Sequence, residues 1–132
     1  MNLLLDTHTF LWVAGRQQSA LLPKATREIL EDGANTLWLS LASVWELSIK
    51  VSTGKLQLTE PVIDLVQFQQ AQSGIQILPI TLAHLDLIET LPFHHRDPFD
   101  RLLIAQAKAE NLILVSVDAA FDPYGINRFW LT

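Results

Sequence analysis

Residues 3–6 read Leu-Leu-Leu-Asp, a short apolar run that ends on a carboxylate. Runs of three or four mainly apolar residues recur along the chain, at residues 3–5, 37–39, 75–78, 112–115 and 128–131. Because apolar residues mostly follow one another instead of alternating with polar ones, the pattern is typical of strands buried on both faces. We therefore predict that these runs form the strands of a mostly parallel sheet.

Helical segments separate the runs. The predicted helices cover residues 23–32, 41–53, 61–73, 81–90 and 98–111. Gly33, Gly54 and Gly74 follow the first three, and glycine commonly ends a helix. The alternation of strands and helices predicts an α/β protein, a three-layer α/β/α sandwich with a central, mostly parallel sheet. Its length predicts one domain over residues 1–132.

The composition excludes several classes of protein. Of the 132 residues, 49% are hydrophobic and 17% are charged, which excludes a disordered tail. The absence of cysteine excludes disulfide frameworks, thiolate zinc sites, iron–sulfur clusters and cysteine nucleophiles. No basic targeting segment and no run of about 18 apolar residues occurs, so we expect a cytoplasmic protein with no membrane partner.

Charge and hydropathy limit the possible partners. Nine Lys and Arg residues against 14 Asp and Glu residues give a net charge of −5 at pH 7. The chain lacks the overall positive field of most nucleic-acid binders, so a polyanionic substrate requires a local basic rim or metal ions. The mean hydropathy of +0.24 is high for a soluble monomer, and we expect part of the apolar surface to lie in an interface.

Four acidic residues fall after predicted strands or within the helices that follow them. Asp6 follows the first strand and Asp118 the fourth, Glu46 lies in the helix after the second strand, and Asp100 lies in the first turn of the last helix. In an open parallel sheet these positions lie at the carboxyl edge, where ligands bind. Clustered carboxylates repel unless cations neutralise them, and oxygen ligands suit Mg²⁺ or Mn²⁺. Such ions activate water for phosphodiester cleavage.

Two of these acids have an ordinary structural interpretation at the end of a strand. Asp6 is equally well placed to cap a helix that begins at Thr7. Asp118 is equally typical of a turn.

The other two acids have an ordinary interpretation within a helix. Lys50 lies four residues after Glu46, the spacing of a surface ion pair. Asp97 and Pro98 form a helix start with Asp100 in its first turn, and for Asp97 we favour a capping role alone.

The remaining candidate groups point to no further chemistry. His94 and His95 are adjacent, so their side chains diverge and a solvated loop is favoured; His84 has the spacing of a helix face. His8 lies near Asp6, but a metal role is the less favoured interpretation. The four tryptophans are predicted to lie mostly in the core. Nucleophile-elbow, phosphate-loop and dinucleotide-binding glycine motifs are absent.

Four segments contain the acidic residues: Leu-Leu-Asp-Thr-His-Thr-Phe-Leu-Trp at 4–12, Ser-Leu-Ala-Ser-Val-Trp-Glu-Leu at 40–47, Arg-Asp-Pro-Phe-Asp-Arg-Leu-Leu-Ile-Ala-Gln-Ala at 96–107 and Leu-Val-Ser-Val-Asp at 114–118. Taken together, they resemble the PIN domain and, more closely, the VapC-type toxins of bacterial type II toxin–antitoxin systems. The resemblance implies an α/β sandwich, Mg²⁺- or Mn²⁺-dependent RNA cleavage, a homodimer, and a cognate antitoxin that covers the cleft. Many members have Thr-Asn-Asp where this chain has Ser116-Val117-Asp118.

The resemblance implies a role for each acid. Asp6 and Asp100 would form the primary metal site, Glu46 would orient or deprotonate the attacking water, and Asp118 would complete the shell. The hydroxyls of Thr7, Ser43 and Ser116 would support these ligands. Lys50, Arg96 and Arg101 would contact substrate phosphates, although a solvated helix face suits Arg101 almost equally well.

The same acidic residues are compatible with other functions. In a non-catalytic PIN-like interaction module, the same acids would hold a structural cation or cap helices. A phosphoacceptor signalling domain is less favoured, because Asp6 has no acidic neighbour. A haloacid-dehalogenase-like phosphatase requires an aspartate at position 8, where this chain has His8.

Overall fold

A computed structural model describes all residues from 1 to 132 and contains one five-stranded sheet. The strands are β1 (Asn2–Leu5), β2 (Thr36–Ser40), β3 (Gln76–Leu78), β4 (Ile113–Val115) and β5 (Arg128–Phe129). Their order is β3-β2-β1-β4-β5, and every neighbouring pair is parallel. The predicted α/β class is confirmed, and the sheet is parallel throughout.

Six α-helices connect the strands. They are α1 (Thr7–Val13), α2 (Lys24–Glu31), α3 (Leu41–Ser52), α4 (Val62–Ser73), α5 (Leu82–Thr90) and α6 (Pro98–Ala109). Short 3₁₀ helices cover Ser19–Leu21 and Ala119–Tyr124. Gly74 ends α4 with a φ of 65°, as the sequence predicts, whereas α2 ends at Glu31 without a left-handed glycine. None of the helices combines the length and hydropathy that a membrane span requires.

The sheet separates two hydrophobic cores. Leu3 and Leu5 face a core that includes side chains from α1 to α4, whereas Leu4 faces a second core with Leu103 and Ile104 of α6. Side chains alternate across the sheet, and the continuous apolar run of β1 therefore serves both cores. The outcome is the predicted three-layer sandwich.

The strand order creates a switch point beside β1. The chain builds outward from β1 through β2 to β3, then returns to the other side of β1 for β4 and β5. Leu5, the last residue of β1, pairs with Leu39 on one side and with Val115 on the other. Connections diverge to opposite faces at such a point, which opens a crevice at the carboxyl ends of the strands.

Candidate active site

Asp6 occupies the carboxyl end of the central strand and also caps α1. Its Oδ1 accepts a hydrogen bond from the backbone N–H of Thr9 at 2.8 Å, and its own N–H donates to the carbonyl of Val115 in β4 at 3.2 Å. The residue is 8% exposed, and no hydrogen bond within the protein uses Oδ2. Capping therefore fixes the side chain at the switch point and leaves one carboxylate oxygen available.

Glu46 enters the same edge from α3 and is held by both of its oxygens. The Thr7 hydroxyl lies 2.6 Å from Oε1 and 3.0 Å from the hydroxyl of Ser43. A hydroxyl has one proton, so Thr7 donates to the carboxylate and accepts from Ser43. Lys50 Nζ lies 3.0 Å from Oε2, and the Glu46 side chain is only 12% exposed. The ion pair exists as the sequence predicts, and it lies beside Asp6 at the sheet edge.

Asp100 lies in the first turn of α6, where the Asp97 side chain caps the helix by accepting from the N–H groups of Phe99 and Asp100. Burial and nearby negative charges raise the pKa of Asp100 from 3.8 to about 7. The charges that act on it, after burial, are those of Asp97, Glu46, Asp6 and Asp118. Asp6, 94 residues before Asp100 in the sequence, therefore lies close enough in the fold to disfavour the ionisation of Asp100.

Asp118 lies at the outer side of this group. It is exposed, and its Oδ1 accepts from the N–H of Ala120 at the start of a 3₁₀ helix. The buried Ser116 hydroxyl accepts from the N–H of Asp118 at 3.0 Å and thereby fixes the turn after β4. Asp118 therefore belongs to a turn and also lies at the carboxyl edge of the sheet, so both interpretations of this residue hold.

The donor set fits a hard divalent cation that keeps part of its hydration shell. No three Asp, Glu or His side chains are arranged to enclose an ion directly. Mg²⁺ is commonly held by one or two carboxylates and several waters, so a closed protein cage is not required. After burial, repulsion by the neighbouring acids raises the pKa of Asp100, and a bound cation would relieve that repulsion. The residues present therefore fit Mg²⁺ or Mn²⁺.

Arg101 corrects a sequence prediction, because it is neither a phosphate ligand nor a solvated residue. Its guanidinium is buried and donates four hydrogen bonds to backbone carbonyls, those of Ile88, Leu91, Pro92 and His95. It also lies 4.2 Å from the ring centre of Phe93. Backbone carbonyls near the end of a helix lack N–H partners within the helix. The planar guanidinium of an arginine can donate hydrogen bonds to several of them at once. Arg101 therefore fixes the connection between α5 and α6.

The other predicted phosphate-binding residues differ in availability. Lys50 is paired with Glu46, whereas Arg96 is exposed and forms no ion pair. Lys55, which sequence analysis missed, is exposed and lines two grooves together with Lys50. One groove, of about 190 Å³, also includes Glu46, and the other, of about 440 Å³, includes His8. A single lysine after a helix-ending glycine is not a recognisable motif. Its position beside these grooves depends on how α3 packs in the fold.

The solvated position predicted for His95 was wrong, whereas His84 does lie on a helix, as the sequence predicts. His95 is not solvated: its Nε2 lies 3.0 Å from Asp100 Oδ2, and its side chain is 16% exposed. His84 is fully buried, completes a capping box with Thr81, and lies 2.9 Å from Glu110. Sequence spacing missed both contacts, because helical periodicity does not predict which groups meet between a loop and a helix or between two helices. The exposed position of His8 beside Trp12 supplies no second ligand near Asp6.

One tryptophan also departs from the core prediction. Trp45, next to Glu46 in α3, is 58% exposed and contacts the ring of Phe99 edge-on at 5.1 Å. This aromatic pair joins α3 to α6 beside the acidic residues. Trp12, by contrast, is buried as predicted.

Comparison with known protein families and structures gives concordant matches. The PIN domain family pattern matches residues 3–126 of the chain. Ribonuclease VapC16 of Mycobacterium tuberculosis is 37% identical over 59 residues, which are 45% of this chain and 42% of that protein. The chain thus aligns with less than half of that relative's length.

Two solved structures share the fold over nearly the whole chain. VapBC2 from Rickettsia felis, bound to a DNA fragment from its promoter, matches 99% of this chain and 100% of its own with a TM-score of 0.73 at 19% identity. DNA-bound VapBC from Salmonella typhimurium matches 98% of this chain and 97% of its own with a TM-score of 0.69 at 14% identity. At these identities the likeness concerns the fold.

Proposed function

The chain belongs to the PIN domain family, and on that basis we propose that it is a metal-dependent endoribonuclease, the toxin of a type II toxin–antitoxin pair. The observation that carries the proposal is the convergence of acids from separate segments around Asp100, whose pKa is raised to about 7 by burial and then by the charges of these acids. The partial likeness to a ribonuclease and the fold shared with VapBC toxin–antitoxin proteins support the same activity. Residues 1–132 would form one PIN-like domain that acts in the cytoplasm.

We assign Asp6 and Asp100 as the residues that hold Mg²⁺ or Mn²⁺, with Asp118 contributing through water. A bound ion of this kind supplies an activated water and stabilises negative charge on a phosphodiester. Glu46, held by Thr7 at Oε1 and by Lys50 at Oε2, would orient the attacking water and accept its proton. Asp6 and Glu46 are both held by hydrogen bonds from neighbouring groups, so they need little rearrangement when the substrate binds.

Substrate binding in this proposal depends on local positive charge. The chain carries a net charge of −5, so long-range attraction does not draw RNA to the site. Lys55 and Arg96 are exposed and not engaged in ion pairs, and Lys55 borders the groove that contains Glu46. Single-stranded or looped RNA fits such an open surface, because its phosphates and bases are both accessible.

An RNA cleavage assay tests the proposed activity. The purified protein is expected to cut single-stranded RNA with Mg²⁺ or Mn²⁺ and to stop when EDTA is added. Asp6→Asn and Asp100→Asn are expected to lose at least about 100-fold in rate, the scale of losing a group that acts in the reaction. Asp86→Asn is the matched control, since Asp86 is an exposed acid on α5. Metal-independent cleavage, or full activity in both site variants, would contradict the proposal.

A non-catalytic interaction module is the alternative, and one observation favours it. Asp6, Asp97 and Asp118 all cap helices, which gives each of them a structural role without metal. This alternative predicts that the wild type and the two asparagine variants bind metal alike and that none cleaves RNA.

We propose two protein partners for the toxin. A cognate antitoxin is the first, supported by the fold shared with VapBC proteins. A second copy of this chain is the other, supported by the high mean hydropathy. Light scattering of the purified protein tests the homodimer, and a monomer at high concentration would contradict it. Relief of growth arrest by the product of an adjacent reading frame tests the antitoxin.

A further inference from the structure

His95 contacts the acidic group from a segment that none of the assigned roles includes. Its Nε2 lies 3.0 Å from Asp100 Oδ2, with side-chain exposures of 16% and 27%. The Asp100 carboxylate forms no other ion pair and no hydrogen bond with a protein side chain. His95 is therefore the one protein group that fixes the orientation of this carboxylate.

The second ring nitrogen determines which form of the ring faces Asp100. The backbone N–H of Asp97 donates to His95 Nδ1 at 3.3 Å, so Nδ1 acts as an acceptor and carries no proton. In the neutral ring the proton then lies on Nε2, the nitrogen that is 3.0 Å from Asp100 Oδ2. The contacts of the ring thus place a protonated nitrogen next to the carboxylate.

The position of the ring is set by groups other than Asp100. The His95 N–H donates to the Tyr124 hydroxyl at 2.7 Å, and Arg101 donates to the His95 carbonyl at 3.3 Å. The imidazole is stacked on the ring of Phe121, with centroids 5.7 Å apart. Because these contacts hold the backbone and the ring plane, Nε2 meets Asp100 from a fixed direction.

Resting on the proposed function, we propose that His95 is a positioning residue for Asp100. The 3.0 Å contact of Nε2 with Oδ2 would hold this oxygen and leave Oδ1 as the oxygen available to a divalent cation. Ligating carboxylates depend on such polar partners, and removal of one typically costs 10- to 100-fold in metal affinity or activity. His94 has no such role, because it is exposed and contacts only the edge of Tyr124.

Direct Mn²⁺ binding by the metal-free protein at one fixed pH tests this role without relying on RNA cleavage. His95→Phe keeps an aromatic ring against Phe121 and removes the donor, whereas His95→Gln keeps a donor near the Nε2 position. His94→Phe is the matched control. Isothermal titration calorimetry with Mn²⁺ is expected to show a Kd about 10-fold weaker for His95→Phe, and values within about threefold of wild type for the other two variants.

The outcomes separate this inference from the proposed function. An unchanged Mn²⁺ affinity in His95→Phe, equal losses in His95→Phe and His95→Gln, or a wild type that binds no Mn²⁺ would overturn the role of His95. Absence of RNA cleavage by wild type, with Mn²⁺ binding and its dependence on His95 intact, would overturn the ribonuclease proposal alone. Circular dichroism verifies that each variant is folded, and His95→Leu supplies the same test if His95→Phe is not.

Discussion

Replacing Asp100 with asparagine is expected to stabilise the metal-free protein at alkaline pH. Burial, and then the charges of neighbouring acids, raise the pKa of Asp100 from 3.8 to about 7 in the folded state. Folding therefore favours the protonated carboxyl, and the wild type loses stability as the pH rises from about 4 to about 7. Above pH 7 the loss is complete. An asparagine cannot ionise, so the variant avoids this loss.

The size of the effect follows from the same pKa. A rise from 3.8 to about 7 sets an upper bound of about 4 kcal/mol on the cost of ionising Asp100 in the fold. The side chain is 27% exposed, so water screens part of this cost. We therefore expect Asp100→Asn to be more stable than wild type by about 2 kcal/mol at pH 8, and equally stable at pH 4.

Urea unfolding in EDTA at pH 4, 6 and 8 measures this difference, with Asp86→Asn as the control for the loss of one negative charge. Adding Mn²⁺ at pH 8 is expected to stabilise the wild type and to reduce or reverse the advantage of the variant, because the ion binds the folded state. The reasoning is refuted if Asp100→Asn is no more stable than wild type at pH 8 in EDTA. It is also refuted if the difference does not change with pH.

Three further substitutions test other parts of the site. Arg101→Met is expected to lower the free energy of unfolding by about 2–4 kcal/mol in urea, because four hydrogen bonds to a buried cation are lost; a change below about 0.5 kcal/mol would contradict the structural role. Thr7→Val is expected to lower kcat about 10-fold by releasing Glu46, at a stability cost near 1 kcal/mol; an unchanged kcat would argue against it. Lys55→Gln is expected to weaken RNA binding in filter-binding assays and reduce its salt dependence, whereas an unchanged salt slope would exclude a phosphate contact.

Much of the fold could be predicted from the sequence because the determining signals are local. The run at residues 3–5 is apolar on both faces of its strand, and Leu3 and Leu4 do face opposite cores. The positions of Asp6 and Asp118 after strands follow from the same pattern, since parallel strands end at one edge. Periodicity does not determine strand order, which places β1 between β2 and β4.

The errors concern side chains whose partners lie in the irregular connection between α5 and α6, where no periodic pattern predicts which groups meet. Arg101 was predicted to contact phosphate, but the carbonyls that bind it converge only after α5 and α6 are packed. The neighbours His94 and His95 cannot be distinguished by composition, because their difference depends on which of them faces Asp100. The metal roles assigned to Asp6, Glu46, Asp100 and Asp118 stay predictions. The fold supports them by bringing these residues to the same edge of the sheet.

A crystal soaked in Mn²⁺ tests whether these carboxylates share one cation. Anomalous scattering at the manganese edge locates the ion independently of any assay of activity. The account predicts a peak about 2.1 Å from a carboxylate oxygen of Asp6 and from one of Asp100. A peak bound elsewhere on the protein, or crystals with Mn²⁺ in solution and no peak between these two residues, would contradict it.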